Sequence, residues 1–326
     1  ISDESLAYLR SPWLTKFTPS VYTVVFLLSL PLNIAAIMIF LFKIQEKTSA
    51  VVFMLNLAFA DVLFVMLLPF KIIYRFSGNN WVIGEGTCRF VIVAFYCNMY
   101  CSILLMTCIS VDRFLAVVYP IRSLLWRKVS RAWKICLFIW MVSIVFPVPL
   151  FIRKLTIHID QLNITTCFDM LGRKAVENFY FHYFTTLISI FFLLPLIITT
   201  FCYVAIIRSL SSPKIESTFK KSRSVFLCVT VLFEYIICFG PSNIVLLLKY
   251  INFDKPFGDT MYFAYVISVT MSSISCCLDP VIYYFGSSKC QKYIYSLVCC
   301  GKTKADHKQT DSSSRTTGGE TSTPTL

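Results

Sequence analysis

The sequence CISVDRFLAVVYP, which runs from Cys108 to Pro120, places Asp112 beside Arg113 within an otherwise apolar stretch. An unpaired ion in a nonpolar interior is costly, so such a pair persists where it is partnered or used. Two interpretations follow. The stretch is either part of a soluble core that buries an ion pair, or the end of a membrane helix at which the charges have a function.

The composition of the whole chain decides in favour of a membrane helix. Of the 326 residues, 57% are hydrophobic and only 14% are charged, whereas soluble domains carry about 25% charged residues. A helix needs about 20 predominantly apolar residues to cross a bilayer. Seven such runs occur: Phe17–Phe42, Ser49–Phe70, Phe90–Pro120, Ile135–Ile152, Asn178–Ile207, Ser224–Leu248 and Thr260–Phe285. We therefore predict an all-α membrane protein, a bundle of seven transmembrane helices that we number as spans one to seven.

The spans divide the chain into three regions. Residues 1–16 form an outer stub, residues 17–298 form the bundle with a short amphipathic eighth helix at Ser287–Val298, and residues 299–326 form a polar tail that we expect to be disordered. The loops after spans one, three, five and seven carry most of the Lys and Arg residues, and positive loops stay cytoplasmic. We therefore expect a plasma-membrane protein with its N-terminus outside and its C-terminus inside. The net charge of +13 then reflects anionic lipid and protein partners and requires no nucleic acid.

Several residues are candidates for covalent modification. Cys88 and Cys167 both fall on the predicted outer side, where disulfides persist, and we predict that they are bonded. Asn163 begins the glycosylation sequon NITT in the same outer loop. Cys299 and Cys300 follow the last span, and juxtamembrane cysteines are candidates for S-palmitoylation.

The sequence lacks the motifs that are typical of membrane enzymes, light-driven pumps and transporters. The only histidines are His158, His182 and His307, and neither a His-Glu-x-x-His zinc motif nor a Gly-rich phosphate loop occurs. Span seven has no lysine that could carry a Schiff base, and the two halves of the chain lack the paired repeats of transporters. A receptor or a channel-like bundle remains, and no enzyme activity is expected.

Landmarks in every span resemble those of the rhodopsin-like G-protein-coupled receptors. They occur in the family's order: Asn33, "NLAFAD" (Asn56–Asp61), "DRF" (Asp112–Phe114), Trp140, Pro195 and Tyr203, "CFGP" (Cys238–Pro241) and "DPVIY" (Asp279–Tyr283). The resemblance implies that Asp112 restrains Arg113 at rest and that Arg113 contacts a heterotrimeric G protein once the sixth helix swings outward. The other residues expected in this switch and in the toggle of span six are Tyr203, Tyr283, Phe239 and Pro241.

Longer stretches resemble one branch of that family, the protease-activated receptors, and within it the thrombin-activated type. The stretches include "LPFKIIYRFSGNNWVIGEGTCR" (Leu68–Arg89), "LNITTC" (Leu162–Cys167) and "SCCLDPVIYYF" (Ser275–Phe285). Such receptors are switched on when a serine protease cuts the outer N-terminus and the new end folds back as a tethered ligand. The resemblance implies a thrombin-like activating protease, a role in coagulation and platelet or vascular signalling, and arrestin binding to the phosphorylated Ser/Thr-rich tail.

The expected ligand site lies in the outer third of the bundle. Its aromatic members offer apolar faces with hydroxyl groups, and Asp169 can meet a cationic group of the ligand. The candidates are Tyr96, Asp169, Leu171, Phe184, Tyr250, Tyr262 and Tyr265. Alternatively, the tyrosines form only an interfacial belt. At the level of function, the alternatives are a seven-helix receptor for a separate peptide or lipid ligand, and a channel or transporter.

The activating cleavage site is expected upstream of the sequence. Cleavage after Arg10 would leave only Ser11–Phe17 before the first span, and seven residues reach at most about 25 Å when fully extended. That arm would have to double back over the rim of the bundle to enter it.

Two acids in the centre of the bundle predict a polar site. By family analogy Asp61 and Asp279 lie near Asn33, Ser102 and Ser275. Two carboxylates in a core of low dielectric constant cannot both stay ionised unpaired, so either one takes a proton or both share a cation such as sodium. The alternative is that the two acids are solvated separately. No other cofactor is expected.

Glu234 is an acid that the family resemblance does not supply. It lies near the middle of span six, and intramembrane acids are functional candidates by default. Helical spacing places it on one face with Cys238 and Pro241. We expect that face to look toward span seven, so that a neutral Glu234 donates a hydrogen bond across the helix pair. The alternative is a neutral acid that faces lipid.

Overall fold

Seven long apolar helices make up most of the molecule. The structure, a computed structural model, describes residues 3–169, 179–210, 218–251 and 258–295. Seven helices in these ranges are long and apolar enough to cross a membrane: Trp13–Lys43, Ser49–Phe76, Glu85–Val118, Val129–Ile152, Phe181–Leu210, Val225–Leu248 and Phe263–Gly286. Each corresponds to one of the predicted spans, so the predicted seven-helix bundle is confirmed.

Several spans consist of more than one helical segment. Spans one to four comprise Trp13–Phe17, Thr18–Met38, Ile39–Lys43, Ser49–Val65, Leu68–Phe76, Glu85–Val118, Val129–Val145 and Val148–Ile152. Spans five to seven comprise Phe181–Ile188, Ser189–Leu193, Leu194–Leu210, Thr218–Phe233, Glu234–Phe239, Gly240–Ile251, Gly258–Ser272 and Ser275–Gly286. The segments Trp13–Phe17, Ile39–Lys43, Ser189–Leu193 and Glu234–Phe239 are π-helical turns. Such turns rotate the side chains that follow them, and they are frequent at functional sites.

Span four shows why an apolar run understates the length of its helix. The apolar run begins at Ile135, whereas the helix begins at Val129. The additional turns contain Arg131 and Lys134, both exposed. Charged residues interrupt a hydropathy pattern, but a helix accommodates them readily where it projects beyond the hydrocarbon layer.

The outer loop after span four forms a β-hairpin. Strand β1 (Thr156–Ile159) pairs antiparallel with strand β2 (Ile164–Cys167), in a register that sets Ile159 opposite Ile164. Asn163 lies in the turn with a φ of 50°, a left-handed conformation that Asn adopts more readily than most residues. The sequon residue is therefore at the tip of the hairpin.

Two links hold the hairpin over span three. A disulfide joins Cys88, in the first turn of span three, to Cys167 in β2 and confirms the predicted bond. The carboxylate of Glu85 accepts a hydrogen bond from the backbone N–H of Leu155 at 2.8 Å and another from that of Thr156 at 3.1 Å. The residues immediately after Cys167 are thereby placed over the outer end of the bundle.

Short helices precede span one and follow span seven. The predicted outer stub contains the helix Asp3–Arg10, in which Leu9 is buried. Residues 288–295, in the region predicted as an eighth helix, are helical and follow span seven directly. Cys299, Cys300 and the predicted tail of residues 299–326 lie outside the described residues, so their assignments stay predictions.

The surface of the bundle is strongly apolar along its spans. Leu27 in span one, Phe138 in span four and Phe201 in span five are each more than 60% exposed. Soluble monomers rarely expose large contiguous apolar patches, whereas lipid covers such residues without cost. Polar side chains are instead concentrated inside the bundle, where Asn33, Asp61 and other polar residues are fully buried.

Candidate ligand site and switch residues

An outer cavity lies between spans one, two, three and seven, beneath the residues that follow β2. Seven of its fifteen lining residues are aromatic, and its charged lining residues are Lys71, Arg75 and Asp169. The remaining lining residues are Tyr22, Tyr74, Trp81, Val91, Ile92, Phe95, Tyr96, Cys167, Phe168, Tyr265, Val266 and Val269. The cavity measures about 50 Å³, whereas a cavity that admits benzene measures about 150 Å³. An aromatic side chain of a ligand could therefore enter only if the walls moved apart.

Three of the predicted ligand residues line this cavity. The hydroxyl groups of Tyr96 and Tyr265 are hydrogen-bonded at 2.6 Å and connect span three to span seven. Asp169 lies at the outer end of the same cavity. Phe184 packs behind the wall, with its ring centroid 5.3 Å from that of Tyr96. Leu171 and the side chains of Tyr250 and Tyr262 lie outside what the structure describes.

The Asp169 carboxylate, predicted to meet a cationic group of the ligand, is paired with a cation of the chain itself in this structure. Arg75 donates two hydrogen bonds to it, at 2.9 and 3.0 Å, and the Tyr74 hydroxyl donates a third. The side chains of Arg75 and Asp169 are only 9% and 7% exposed. The sequence prediction missed Arg75 and Tyr74 because it ended span two at Phe70, whereas the helix continues to Phe76.

Lys71 adds a second positive charge to the same cavity. Its ammonium group lies 4.1 Å from the centroid of the Phe95 ring and 5.9 Å from that of Tyr22. The faces of aromatic rings attract cations, which accounts for a lysine in an aromatic wall. Among the described lining residues, two basic side chains therefore accompany one acid.

The N-terminal helix is connected to this cavity through Asn79. The Asn79 amide donates to the backbone carbonyl of Leu9 at 2.6 Å, and its oxygen accepts from Arg75 at 2.7 Å. The Tyr8 ring stacks on Phe263 of span seven, with centroids 5.3 Å apart. The segment before span one is therefore linked through Asn79 to Arg75, which holds Asp169.

A polar site does occur in the centre of the bundle. The Tyr283 hydroxyl lies 3.2 Å from Asn33 Oδ1 and 3.2 Å from Asp61 Oδ2. Asp61 Oδ1 and both carboxyl oxygens of Asp279 have no hydrogen-bond partner among the described residues. Since two buried carboxylates offer only acceptors, the pair requires either a proton on one of them or a cation.

The two serines predicted for this site behave differently. Ser275 donates to the backbone carbonyl of Ser272 at 2.9 Å and is thereby satisfied within its own helix. The buried Ser102 hydroxyl has no hydrogen-bond partner among the described residues. Within the same part of the chain, no cluster of three or more His, Cys, Asp or Glu side chains is arranged to hold a metal ion.

Glu234 is fully buried, so the alternative of a lipid-facing acid is wrong. The expected hydrogen bond to span seven is also wrong, because neither carboxyl oxygen has a partner among the described residues. Ser272 of span seven donates instead to the backbone carbonyl of Cys238, at 2.6 Å. Glu234 begins the π-helical turn Glu234–Phe239, and this turn breaks the regular helical spacing on which the expectation rested.

Asp112 is bound by Arg127 rather than by the neighbouring Arg113. Arg127, from the loop after span three, donates two hydrogen bonds to the Asp112 carboxylate, both at 3.0 Å, and Ser49 of span two donates another. Asp112 therefore links span three to its following loop, and it does not restrain Arg113 as expected. Adjacent residues on a helix point about 100° apart, which leaves Asp112 free to face a different neighbour.

The other predicted switch residues are buried and engaged in separate contacts. Tyr203 of span five is hydrogen-bonded to Ser110 of span three. Phe239 is buried, and Pro241 follows it in a half-buried position. Tyr235, which the sequence prediction missed, donates to the backbone carbonyl of Ile103 at 2.9 Å and so connects span six to span three. The only sequence signal for Tyr235 was its place beside Glu234.

Comparisons with known proteins agree with these features. The model of the 7 transmembrane receptor (rhodopsin family) matches residues 32–283. The chain is 56% identical to Proteinase-activated receptor 1 of Xenopus laevis over 93% of this chain and 71% of that protein. It is 54% identical to Proteinase-activated receptor 1 of Homo sapiens, over 96% and 74%. Identity to Proteinase-activated receptor 2 of Homo sapiens is 39%, over 92% and 76%.

Proposed function

Because the chain belongs to the rhodopsin family of seven-transmembrane receptors and, within it, to the proteinase-activated receptors, we propose that a thrombin-like serine protease activates it by unmasking a tethered peptide ligand. As a member of this family it is a multi-pass receptor of the plasma membrane and not an enzyme. We place its N-terminus outside the cell and its C-terminus in the cytoplasm, where heterotrimeric G proteins, arrestin and membrane lipid are its partners.

The observation that carries this proposal is the contracted outer cavity with its buried Arg75–Asp169 pair. A cationic group of the peptide end replaces Arg75 at the Asp169 carboxylate, because a guanidinium or ammonium group offers equivalent charge-assisted hydrogen bonds. The apolar residues of the ligand then separate Tyr96 from Tyr265 and widen the cavity. The exchange of one ion pair for another keeps the buried carboxylate paired throughout.

The signal reaches the cytoplasmic end through span six. Phe239 and the Tyr235 hydroxyl bond to span three hold this helix at rest. Widening of the outer cavity shifts span three against span six, and the outward swing of span six opens a site in which Arg113 binds the G protein. Such transitions occur because a packed bundle has discrete arrangements rather than a continuous range of them.

The central acids stabilise the resting state. Asp61 and Asp279 share a proton or a sodium ion, and the amide oxygen of Asn33 and the Tyr283 hydroxyl are close enough to complete an oxygen-lined site. Oxygen atoms without a partner, such as Asp61 Oδ1, suit a hard cation. The ion would compensate the buried charge, and its loss would accompany the rearrangement of span seven.

Calcium release in cells that express the receptor with its complete N-terminus tests the proposal. Active thrombin is expected to trigger release, and thrombin with a blocked active site is the matched control. A response to blocked thrombin, or to no protease at all, would contradict the proposed activation and favour a separate peptide or lipid ligand. Agonist-independent ion flux in liposomes would favour a channel.

A further inference from the structure

A second cavity lies at the opposite end of the bundle, beside the Asp112–Arg127 pair. It measures about 200 Å³, several times the volume of about 30 Å³ that one water molecule occupies in the liquid. Val111 and Leu115 of span three and Ile135 of span four contribute apolar side chains to its lining, and Arg127 and Lys128 contribute basic ones. The lining of this cavity therefore combines apolar and basic side chains.

The apolar part of the cavity borders the surface that lipid covers. Ile135 is 42% exposed and Ile198 of span five is 36% exposed, and Trp126 of the loop lies at the cavity's edge, also exposed. Neighbouring residues of span four such as Phe138 are exposed in the same way. An occupant can therefore enter sideways from the hydrocarbon layer, without passing through the bundle.

The charge of the loop is strongly one-sided. No Asp or Glu occurs between Asp112 and Asp160, whereas the loop after span three and the first turns of span four carry five basic residues: Arg122, Arg127, Lys128, Arg131 and Lys134. Asp112 is the only acid among the described lining residues, and Arg127 already neutralises it. Lys128 is exposed and has no ion pair with a described carboxylate. Lys128 therefore provides a positive charge in the lining that is available to bind an anion.

From this combination we infer that the cavity binds an anionic phospholipid, with an acyl chain along Val111 and Ile135 and the phosphate at Lys128 and Arg127. The inference goes beyond the proposed activation, although it uses the proposed orientation, which puts this end at the inner leaflet. Phosphate accepts a bidentate contact from a guanidinium group, and basic groups beside spans attract anionic headgroups. The headgroup thereby shares Arg127 with Asp112 and weakens the link between span three and the loop.

Native mass spectrometry of the purified full chain from mixed detergent–lipid micelles tests this site. The probes are phosphatidylserine and phosphatidylcholine with the same acyl chains. The unchanged protein is expected to retain phosphatidylserine in preference to phosphatidylcholine. Lys128→Gln is expected to weaken retention about fivefold, as the loss of one base beside a membrane predicts. Ile135→Trp is also expected to weaken retention, because the larger side chain fills the apolar part of the cavity without any change of charge.

The matched control is Lys134→Gln, which removes an exposed charge from the same helix outside the cavity lining. If Lys134→Gln weakens retention as much as Lys128→Gln, the lipid is held by diffuse charge and the site is refuted. If Ile135→Trp has no effect, the acyl chain does not lie in the cavity. Glycerophosphoserine has the headgroup but no acyl chains. If it displaces the lipid when present at the same concentration, the site binds a soluble phosphate and the inference is overturned.

Discussion

At the scale of single residues, charged side chains inside the bundle determine what this receptor can do. Asp169 and Asp112 are each paired with an arginine from another part of the chain, and Asp61 and Asp279 are fully buried in the centre of the bundle. Glu234 has no hydrogen-bonded partner among the described residues. Removal of one member of a buried ion pair should lower the free energy of unfolding, whereas removal of a buried acid without a partner should raise it.

Arg75→Met is expected to destabilise the receptor by about 3–5 kcal/mol, because it leaves the buried Asp169 carboxylate without its cation. The double variant Arg75→Met with Asp169→Leu removes both charges and is expected to lose much less. Thermal unfolding of the purified variants measures the difference. Equal destabilisation in the single and double variants would show that the pair is not coupled.

Glu234→Leu is expected to stabilise the resting receptor by about 1–3 kcal/mol, because it removes a buried polar group that lacks a partner. Glu234→Gln keeps a buried polar group and is the matched control, with a smaller gain. Thermal unfolding and basal G-protein signalling are the measurements. If Glu234→Leu lowers the melting temperature instead, the carboxyl group is satisfied by water or an ion and this prediction is wrong.

At the scale of secondary-structure elements, the hairpin and the short helix after span seven are held by a few identifiable contacts. The disulfide Cys88–Cys167 and the Glu85 carboxylate connect the hairpin to span three. An ion pair of 2.8 Å between Lys289 and Glu46 connects residues 288–295 to the loop after span one. Each contact can be removed by substitution and its effect measured on the element that it holds.

Replacement of Cys88 and Cys167 by serine is expected to lower stability by about 4 kcal/mol, because the bond closes a long loop with a sequence separation of 79 residues. It also releases Asp169, two residues beyond Cys167, so activation should weaken. Thermal unfolding and calcium release report the two effects. The double serine variant would contradict this if it matched the unchanged receptor in both measurements.

The contact between Glu46 and the short helix is expected to weaken in acid. The hydrogen bond from Lys289, and then its charge, lower the pKa of Glu46. A carboxyl group whose pKa is lowered in the folded state stabilises above its unfolded pKa and loses that contribution as pH falls through the folded value. Amide hydrogen exchange in residues 288–295, corrected for intrinsic rates, should therefore quicken slightly at low pH, since exposed pairs contribute little. Glu46→Gln should abolish this pH dependence, and its persistence would exclude Glu46 as the cause.

At the scale of the whole molecule, orientation in the membrane determines which sites can be reached from outside. Asn163, at the tip of the hairpin, reports it directly. In the proposed orientation Asn163 is expected to carry a glycan, so an endoglycosidase should increase the gel mobility of the expressed chain. Asn163→Gln should already migrate at that position, with Asn80→Gln as a control outside any sequon. An unchanged mobility of the original chain would argue that the loop is not glycosylated.

The sequence by itself determined the seven spans and the order of their motifs. Hydrophobicity over about 20 residues is a local property, and a bilayer selects helices because each backbone polar group must be satisfied within its own segment. The disulfide could also be predicted, because topology places only a few cysteines on the oxidising side. In contrast, the beginning of span four and the end of span two were misjudged where helices extend beyond the apolar layer.

Only the tertiary structure decided which charges meet. Asp169 lies 94 residues from Arg75, and Asp112 lies 15 residues from Arg127. The sequence instead favoured a ligand cation for the first acid and the adjacent Arg113 for the second. The Glu234–Phe239 turn likewise changed the direction of Glu234. Pairing of buried ions depends on distances of a few ångströms between helices, because the cost of burial is offset only at hydrogen-bonding geometry, and such distances arise only when the helices pack.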